Sequence, residues 1–112
     1  METTRQNKVA RLLLKDLSDI LQKMNATLAP GQLITVTVVR ISPDLSVARV
    51  YVSIFPAAQR EQTLEAIRQN AKNIRMILGN RVRHQLRIIP ELVFFLDDSL
   101  DYAERIDDLL KH

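Results

Sequence analysis

The stretch "RQNAKNIRMILGNRVRHQLR", residues 68–87, combines an apolar helical pattern with six Lys or Arg and no Asp or Glu. The apolar stripe begins upstream at Leu64 and recurs at three- and four-residue spacing as far as Val82, which is typical of an amphipathic helix. Its members are Leu64, Ile67, Ala71, Ile74, Ile77, Leu78 and Val82. This basic helical region therefore contains a buried face.

Two asparagines interrupt the helical region. Asn70 and Asn73 are poor interior residues because the Asn side chain competes for nearby backbone groups, and Asn readily adopts left-handed backbone. We therefore predict two helices joined by a kink at Ala71, Lys72 and Asn73, with Asn73 in the left-handed conformation. A single long helix with a frayed middle is the alternative.

The chain before this region predicts one helix and a β-hairpin. Apolar residues at helical spacing predict a first helix over about residues 4–25, capped by Thr3 or Thr4. The segments "ITVTVVRI" (34–41) and "SVARVYVSI" (46–54) are rich in β-branched residues and flank the turn "SPDLS". Two apolar strand faces are expected: Ile34, Val36 and Val38 on the first strand, and Ala48, Val50, Val52 and Ile54 on the second.

The chain after the helical region predicts a third strand and an acidic end. "LRIIPELVFFL", residues 86–96, predicts a strand with Pro90 at an edge or bulge, because proline cannot donate a ladder hydrogen bond. Residues 97–112 predict a short acidic helix or tail. The whole chain, residues 1–112, is then one α+β domain with the order α-β-β-α-kink-α-β. That order is the type II KH topology, with three helices on one face of a mixed three-stranded sheet.

Charge is distributed unevenly along the chain. Residues 1–96 carry 14 Lys or Arg against 7 Asp or Glu, a net +7, whereas residues 97–112 carry 2 against 6, a net −4, and the two sum to +3. A basic body attracts phosphate backbones. The charge distribution is therefore consistent with a nucleic-acid partner, and an ordinary solvated basic surface is the alternative.

Several function classes have no motif to support them. The chain has no cysteine and two well-separated histidines, and it lacks nucleophile, phosphate-loop and zinc-protease motifs. We expect no enzymatic activity, metal, cofactor or small-molecule substrate. No stretch reads as a membrane span or signal peptide. We expect a cytoplasmic monomer that does not bind a membrane.

The candidate RNA ligands are basic residues around the kink. Ordinary KH domains clamp single-stranded RNA with a GxxG loop between paired helices, and here Ala71, Lys72 and Asn73 stand in its place. Along the border of the apolar stripe, arginine and lysine side chains can reach phosphate oxygens. This predicted basic ledge comprises Arg68, Lys72, Arg75, Arg81, Arg83 and Arg87.

The first helix carries a second basic area. Its members are Arg5, Lys8, Arg11 and Lys15, of which Lys8 and Arg11 are further candidate RNA ligands. The alternative is an ordinary solvated helix face on which these cations pair with Asp16 and Asp19.

Four segments resemble the bacterial ribosome-binding factor A family across nearly the whole chain. They are "RQNKVARLLLKDLSDIL", "VVRISPDLSVARVYVSIF", "IRMILGNRVRHQLRIIPELVFFLDDS" and "YAERIDDLL". The family has a type II KH fold with an Ala-x-Gly kink in place of GxxG. Ala71 and Lys72 match the first two kink positions, and Asn73 replaces the glycine.

The resemblance implies a ribosome assembly factor without catalytic activity. Such a protein binds the immature 30S subunit and its 16S rRNA, assists late small-subunit maturation and rRNA processing, and is important after cold shock. Other assembly factors, a GTPase among them, are candidate partners. The alternative from another class is a protein-binding adaptor that uses exposed Ile89, Val93 and Phe95 together with the acidic tail.

Overall fold

The computed structural model of the chain describes residues 3–97. In chain order its elements are α1 (Thr4–Leu28), β1 (Leu33–Ile41), β2 (Val47–Phe55), α2 (Arg60–Gln69), α3 (Ala71–Val82) and β3 (Glu91–Leu96). The predicted α+β class and element order are confirmed. The predicted acidic helix or tail lies outside the described residues, apart from Asp97.

The sheet is mixed, as expected for the type II KH topology. Its order is β1-β2-β3, with β1 antiparallel to β2 and β2 parallel to β3. The predicted apolar face of β2 is confirmed, because Ala48, Val50, Val52 and Ile54 are at most 2% exposed. The helices cover this face, α1 packing on β1 while α2 and α3 pack on β3. The largest fully buried side chains include Leu13, Leu17, Ile67, Ile74, Leu78 and Phe94.

Helix α1 begins with a capping box that ties it to the hairpin. Of the two predicted caps the structure selects Thr3, whose Oγ1 accepts from the Gln6 backbone N–H at 3.1 Å. The Gln6 Oε1 accepts in turn from the Thr3 N–H at 2.8 Å. Buried Gln6 also donates through Nε2 to the Ile41 carbonyl at 2.9 Å. These bonds set the start of α1 against the end of β1.

The predicted apolar face of β1 is wrong at Val38. The pairing of β1 with β2 shifts between Val36 and Val38, where β1 carries an extra residue. An inserted residue reverses the alternation of side chains beyond it. Val38 is therefore 36% exposed, and Val39 and Ile41 are buried instead.

The third strand is shorter than predicted, because it starts at Glu91 and not at residue 86. Pro90 precedes the strand and is neither an edge position nor a bulge inside it. The cause is the length of its partner: β2 starts at Val47, which lies opposite Glu91, so earlier residues have no strand to pair with. The residues between α3 and β3 form a turn, and Ile88 there is 66% exposed.

The hairpin turn is organised around Asp44. Its Oδ1 accepts from the Ser42 hydroxyl at 2.7 Å, the Ser46 hydroxyl at 2.7 Å and the Ser46 N–H at 3.1 Å. These hydrogen bonds, the one from Ser42 first, lower the pKa of Asp44 from 3.8 to about 2. Hydrogen bonds to the charged form favour that form.

Asp44→Asn is expected to flatten part of the acid dependence of stability. Because the folded pKa of Asp44 lies below its ordinary value, the stabilisation is complete above about pH 4 and is lost as pH falls towards 2. Thermal unfolding of both proteins between pH 2 and pH 5 measures this. The difference in melting temperature should shrink towards pH 2, and a difference that stays constant with pH would contradict the assignment.

Candidate nucleic-acid interface

The junction between α2 and α3 lies at Asn70. Asn70 adopts φ −97° and ψ 7°, and its Nδ2 donates to the Ala66 carbonyl at 2.8 Å. Its own carbonyl accepts from the Ile74 N–H at 2.9 Å, which is the first helical bond of α3. Two helices are therefore confirmed, and the single long helix is wrong.

The prediction of a left-handed backbone at Asn73 is wrong. Ala71, Lys72 and Asn73 form the first turn of α3, directly after the junction, and positive φ within residues 3–97 occurs only at Gly31, Leu45 and Gln59. The bend uses the bridge region of backbone space at Asn70, which residues other than glycine can adopt. The junction therefore forms without a left-handed residue at position 73.

Two arginines of the basic ledge fasten β3 and the residues just before it to the helices. Arg68 donates from Nε and Nη2 to the Phe94 carbonyl at 3.2 and 2.9 Å. Arg75 donates from Nε to the Pro90 carbonyl at 3.1 Å and from Nη2 to the Ile89 carbonyl at 2.6 Å. Carbonyl acceptors leave the positive charges uncancelled, but they occupy part of each guanidinium. Part of each guanidinium is therefore used within the fold and is not open to an outside ligand.

A third ledge arginine joins α3 to α1. Arg81 Nη1 lies 2.6 Å from Asp19 Oδ2 and 3.7 Å from Asp16 Oδ1, and Lys23 Nζ lies 3.0 Å from Asp19 Oδ2. The hydrogen bond from Arg81, followed by that from Lys23, lowers the pKa of Asp19. This cluster neutralises Arg81 and holds the two helices together.

The same cluster shows which cations pair with the two acids of the first helix. Asp16 and Asp19 face Arg81 and Lys23, so they do not neutralise the basic area near the start of α1. We call Arg5, Lys8, Arg11 and Lys15 the α1 row; all four are exposed, and none forms an ion pair within residues 3–97. The predicted alternative is therefore wrong in one respect: the α1 row does not pair with Asp16 and Asp19 in the described part of the chain.

The remaining ledge residues are available to a ligand. Lys72, Arg83 and Arg87, which we call the α3 row, are exposed and make no ion pair or hydrogen bond in the described part of the chain. Helix α3 contains no Asp or Glu, and Met76 on its outward side is 60% exposed. Sequence reasoning missed the exposure of Met76 because it lies next to the apolar stripe.

The three apolar residues of the adaptor hypothesis differ from that prediction in exposure; Val93 and Phe95 lie on β3, and Ile89 precedes it. Ile89, Val93 and Phe95 are half-buried and not freely exposed. The Phe95 ring stacks on Tyr51, its neighbour in register, with ring centroids 5.4 Å apart and planes at 25°. Tyr51 therefore has a packing role between neighbouring strands. Part of the apolar surface predicted to dock a partner protein is used in contacts within the fold.

A cleft of about 610 Å³ at the hairpin end was also missed by sequence reasoning. Arg40 and Arg49 line it and lie opposite each other across β1 and β2. Only the pairing register brings these residues together, so no sequence motif indicates the cleft.

The described residues contain neither a membrane-spanning helix nor a metal-ligand cluster. Within residues 3–97, no helix combines the length and apolar character needed to cross a membrane. The same residues bring together no three His, Cys, Asp or Glu side chains that could hold a metal ion.

The fold and surface together define a type II KH-like domain that has a helix junction instead of the GxxG clamp and a basic helical layer. Residues 5–110 match the family model described as ribosome-binding factor A. The chain belongs to the ribosome-binding factor A family.

Relatives and solved structures agree with this assignment. The ribosome-binding factor A of Cytophaga hutchinsonii is 49% identical over 110 residues, which cover 98% of this chain and 83% of the relative. The crystal structure of ribosome-binding factor A from Thermus thermophilus superposes with a TM-score of 0.69 at 28% identity, covering 81% of this chain and 94% of that one. A Thermus thermophilus homology model, fitted into a cryo-EM map of a 30S complex, has a TM-score of 0.68 at 28% identity, covering 88% and 97%.

Proposed function

We propose that this chain is a non-catalytic assembly factor of the small ribosomal subunit. It binds the immature 30S subunit through 16S rRNA in the cytoplasm and assists a late step of maturation, including rRNA processing. The observation that carries the proposal is the α3 row, which is unpaired within residues 3–97: Lys72 lies on a helix without acids, Arg83 caps that helix, and Arg87 lies in the turn that follows. Family membership and the 30S complex of the Thermus relative support it.

The eight candidate ligands divide into two roles under this proposal. Lys8, Arg11 and the α3 row contact phosphate oxygens directly, since their side chains are exposed and unpaired within residues 3–97. Arg68, Arg75 and Arg81 position the surface, because their donors hold β3 and α1. Preferential binding to one rRNA arrangement then shifts the folding population of the subunit without a covalent step.

The proposal also covers conditions and partners. RNA helices that form wrongly persist longer in the cold, so the contribution of the factor to growth should be largest after cold shock. Under this proposal, other assembly factors, a GTPase among them, release the factor from the subunit.

Co-sedimentation of the full chain with purified particles tests the function. The chain should pellet with immature 30S subunits at 50 mM KCl and be released as salt rises, with a log-log slope of about −0.7 to −0.9 per neutralised phosphate. Naked 16S rRNA should compete, and 50S subunits serve as the control particle. Failure to pellet with 30S, or pelleting that ignores salt, would reject the RNA-binding function and favour the adaptor.

A further inference from the structure

Helices α1 and α3 present their free cations on the same side of the molecule. Lys8, Arg11 and Lys15 recur at three- and four-residue spacing, on the side of α1 opposite buried Leu13 and Leu17. The exposed side of α3, opposite the buried stripe, carries Lys72; Arg83 is the C-cap of the helix, and Arg87 lies in the turn that follows. Because both helices cover the same sheet face, both exposed sides point away from the sheet.

The separation of the two rows is fixed by the contacts between the helices. Arg81 reaches across from α3 to Asp19 at 2.6 Å and Asp16 at 3.7 Å. Packed helix axes lie about 8–10 Å apart, so the outward rows are separated by at least about that distance. The acids in the seam are neutralised by Arg81 and Lys23, so the layer offers two attractive rows with little repulsion between them. Two phosphate strands fit this arrangement better than one.

The described helices lack two features that commonly recognise unpaired bases, aromatic rings and a GxxG clamp. All aromatic residues within residues 3–97, namely Tyr51, Phe55, Phe94 and Phe95, lie on β2 or β3. Single-stranded RNA is generally bound by stacking its bases on aromatic rings or by a GxxG clamp, and neither is present on the described helices. A ligand on this layer must be recognised by its backbone and shape.

The outward side of α3 offers amides between its cations. Asn73 and Asn80 are exposed there, beside Met76 at 60% exposure. An Asn amide both donates and accepts hydrogen bonds. The minor groove of A-form RNA is wide and shallow and displays 2′-hydroxyls, which both donate and accept, so it suits short amide side chains flanked by cations.

The start of α1 places cations near the positive end of the helix dipole. Arg5 lies in the first turn, which contains no acidic residue, and Lys8 follows in the next. Cations near a helix N-terminus are unfavourable, because the N-terminal end of the helix dipole is positive. A phosphate strand along the α1 row would relieve this repulsion.

We propose that the helical layer binds double-stranded rRNA, with the α1 row and the α3 row each contacting one phosphate strand across the minor groove. This inference rests on the proposed function and specifies the form of RNA that the site takes. Recognition is by A-form shape and 2′-hydroxyls and not by base sequence.

Fluorescence anisotropy with short nucleic acids tests the inference. The full chain is titrated with a blunt RNA duplex of about 20 base pairs, one of its strands alone, and the DNA duplex of the same sequence. Because a duplex has the higher charge density, we expect about tenfold or greater preference for duplex RNA over the single strand at equal salt. The DNA duplex should bind more weakly than duplex RNA, because it lacks the 2′-hydroxyls.

Charge-removal variants locate the two strands. K8Q/R11Q and K72Q/R83Q should each lower the salt slope on duplex RNA by about 1.4 to 1.8, two contacts at 0.7 to 0.9 each. K23Q is the matched control, since Lys23 lies on α1 but pairs with Asp19, and its slope should match that of the unaltered chain. Melting temperatures confirm that all variants are folded.

The outcomes separate the inference from the function. Equal or tighter binding of the single strand, no binding of duplex RNA, or a slope that only one row changes would overturn the duplex proposal, even if the chain still pellets with 30S subunits. Failure to pellet with 30S subunits would reject the proposed function itself.

Discussion

Replacing Lys72, Arg83 and Arg87 together with glutamine is expected to lower affinity for the small subunit about 100-fold or more near 0.1 M salt. Losing three phosphate contacts, at about 0.7 to 0.9 each, lowers the log-log slope of affinity against salt by about 2 to 2.7. Over the tenfold range from 1 M to 0.1 M salt, this difference in slope corresponds to about 100-fold or more in affinity. The three side chains are exposed and unpaired within residues 3–97, so stability should change by less than about 0.5 kcal/mol per site. Salt-titrated co-sedimentation and urea unfolding measure the two quantities.

Arg75→Ala is the contrast to a single α3 row substitution, because each removes one positive charge from the same surface. Its guanidinium donates to the Pro90 and Ile89 carbonyls, so its loss should destabilise the fold by about 1–2 kcal/mol. At a temperature where this variant is folded, its salt slope should fall by less than that of a single α3 row substitution. A full loss of slope in Arg75→Ala, with none in the triple variant, would reverse the assignment of roles.

The helices and the inner sheet face follow from local patterns. The stripe from Leu64 to Val82 and the alternation in β2 are properties of neighbouring residues, so the sequence is enough to predict which sides are buried. The bounds of β3 are different, because they depend on where β2 begins. Val47 lies opposite Glu91, and this partner is 44 positions away, as the difference of those two residue numbers.

The site divides in the same way. Composition indicates a basic helical surface, but it does not tell which cations are free. The acceptor of Arg68 is 26 positions away on β3, and Arg81 pairs with acids on the first helix. Arg68 and Lys72 look equivalent on a helical wheel, and only the tertiary structure separates a residue that fastens a strand from one that faces solvent.

The junction shows a limit of propensity arguments. Asn70 and Asn73 have the same intrinsic preferences, so propensity cannot choose between them. Ile67 and Ile74 are both 0% exposed, but at seven-residue spacing a single helix would also bury both, so the apolar stripe does not choose the position of the break either. The break lies at Asn70, whose side chain donates a hydrogen bond to the Ala66 carbonyl, and Asn73 lies in the first turn of α3.

Phe94→Ala is expected to lower the free energy of unfolding by about 3–5 kcal/mol. Phe94 is 1% exposed, lies opposite Val50 in the parallel pairing, and is among the largest fully buried side chains. Domains of this kind are stable by only about 5–15 kcal/mol, so the variant should be partly unfolded at growth temperature. Phe94→Leu leaves a smaller cavity and should lose less than half as much stability.

Phe94→Ala separates the effect of a substitution on stability from its effect on binding to the small subunit. Phe94 belongs to the inner face of the sheet, whereas both cation rows point away from it. Below the melting temperature, the folded fraction of Phe94→Ala should bind small subunits with the salt slope of the unaltered chain, because slope counts phosphate contacts and not stability. Apparent affinity should fall only by the fraction unfolded, measured by circular dichroism in the same buffer. A folded Phe94→Ala protein with a reduced slope would mean that the inner face of the sheet shapes the phosphate-binding surface, and the division between positioning and contacting residues would then be wrong.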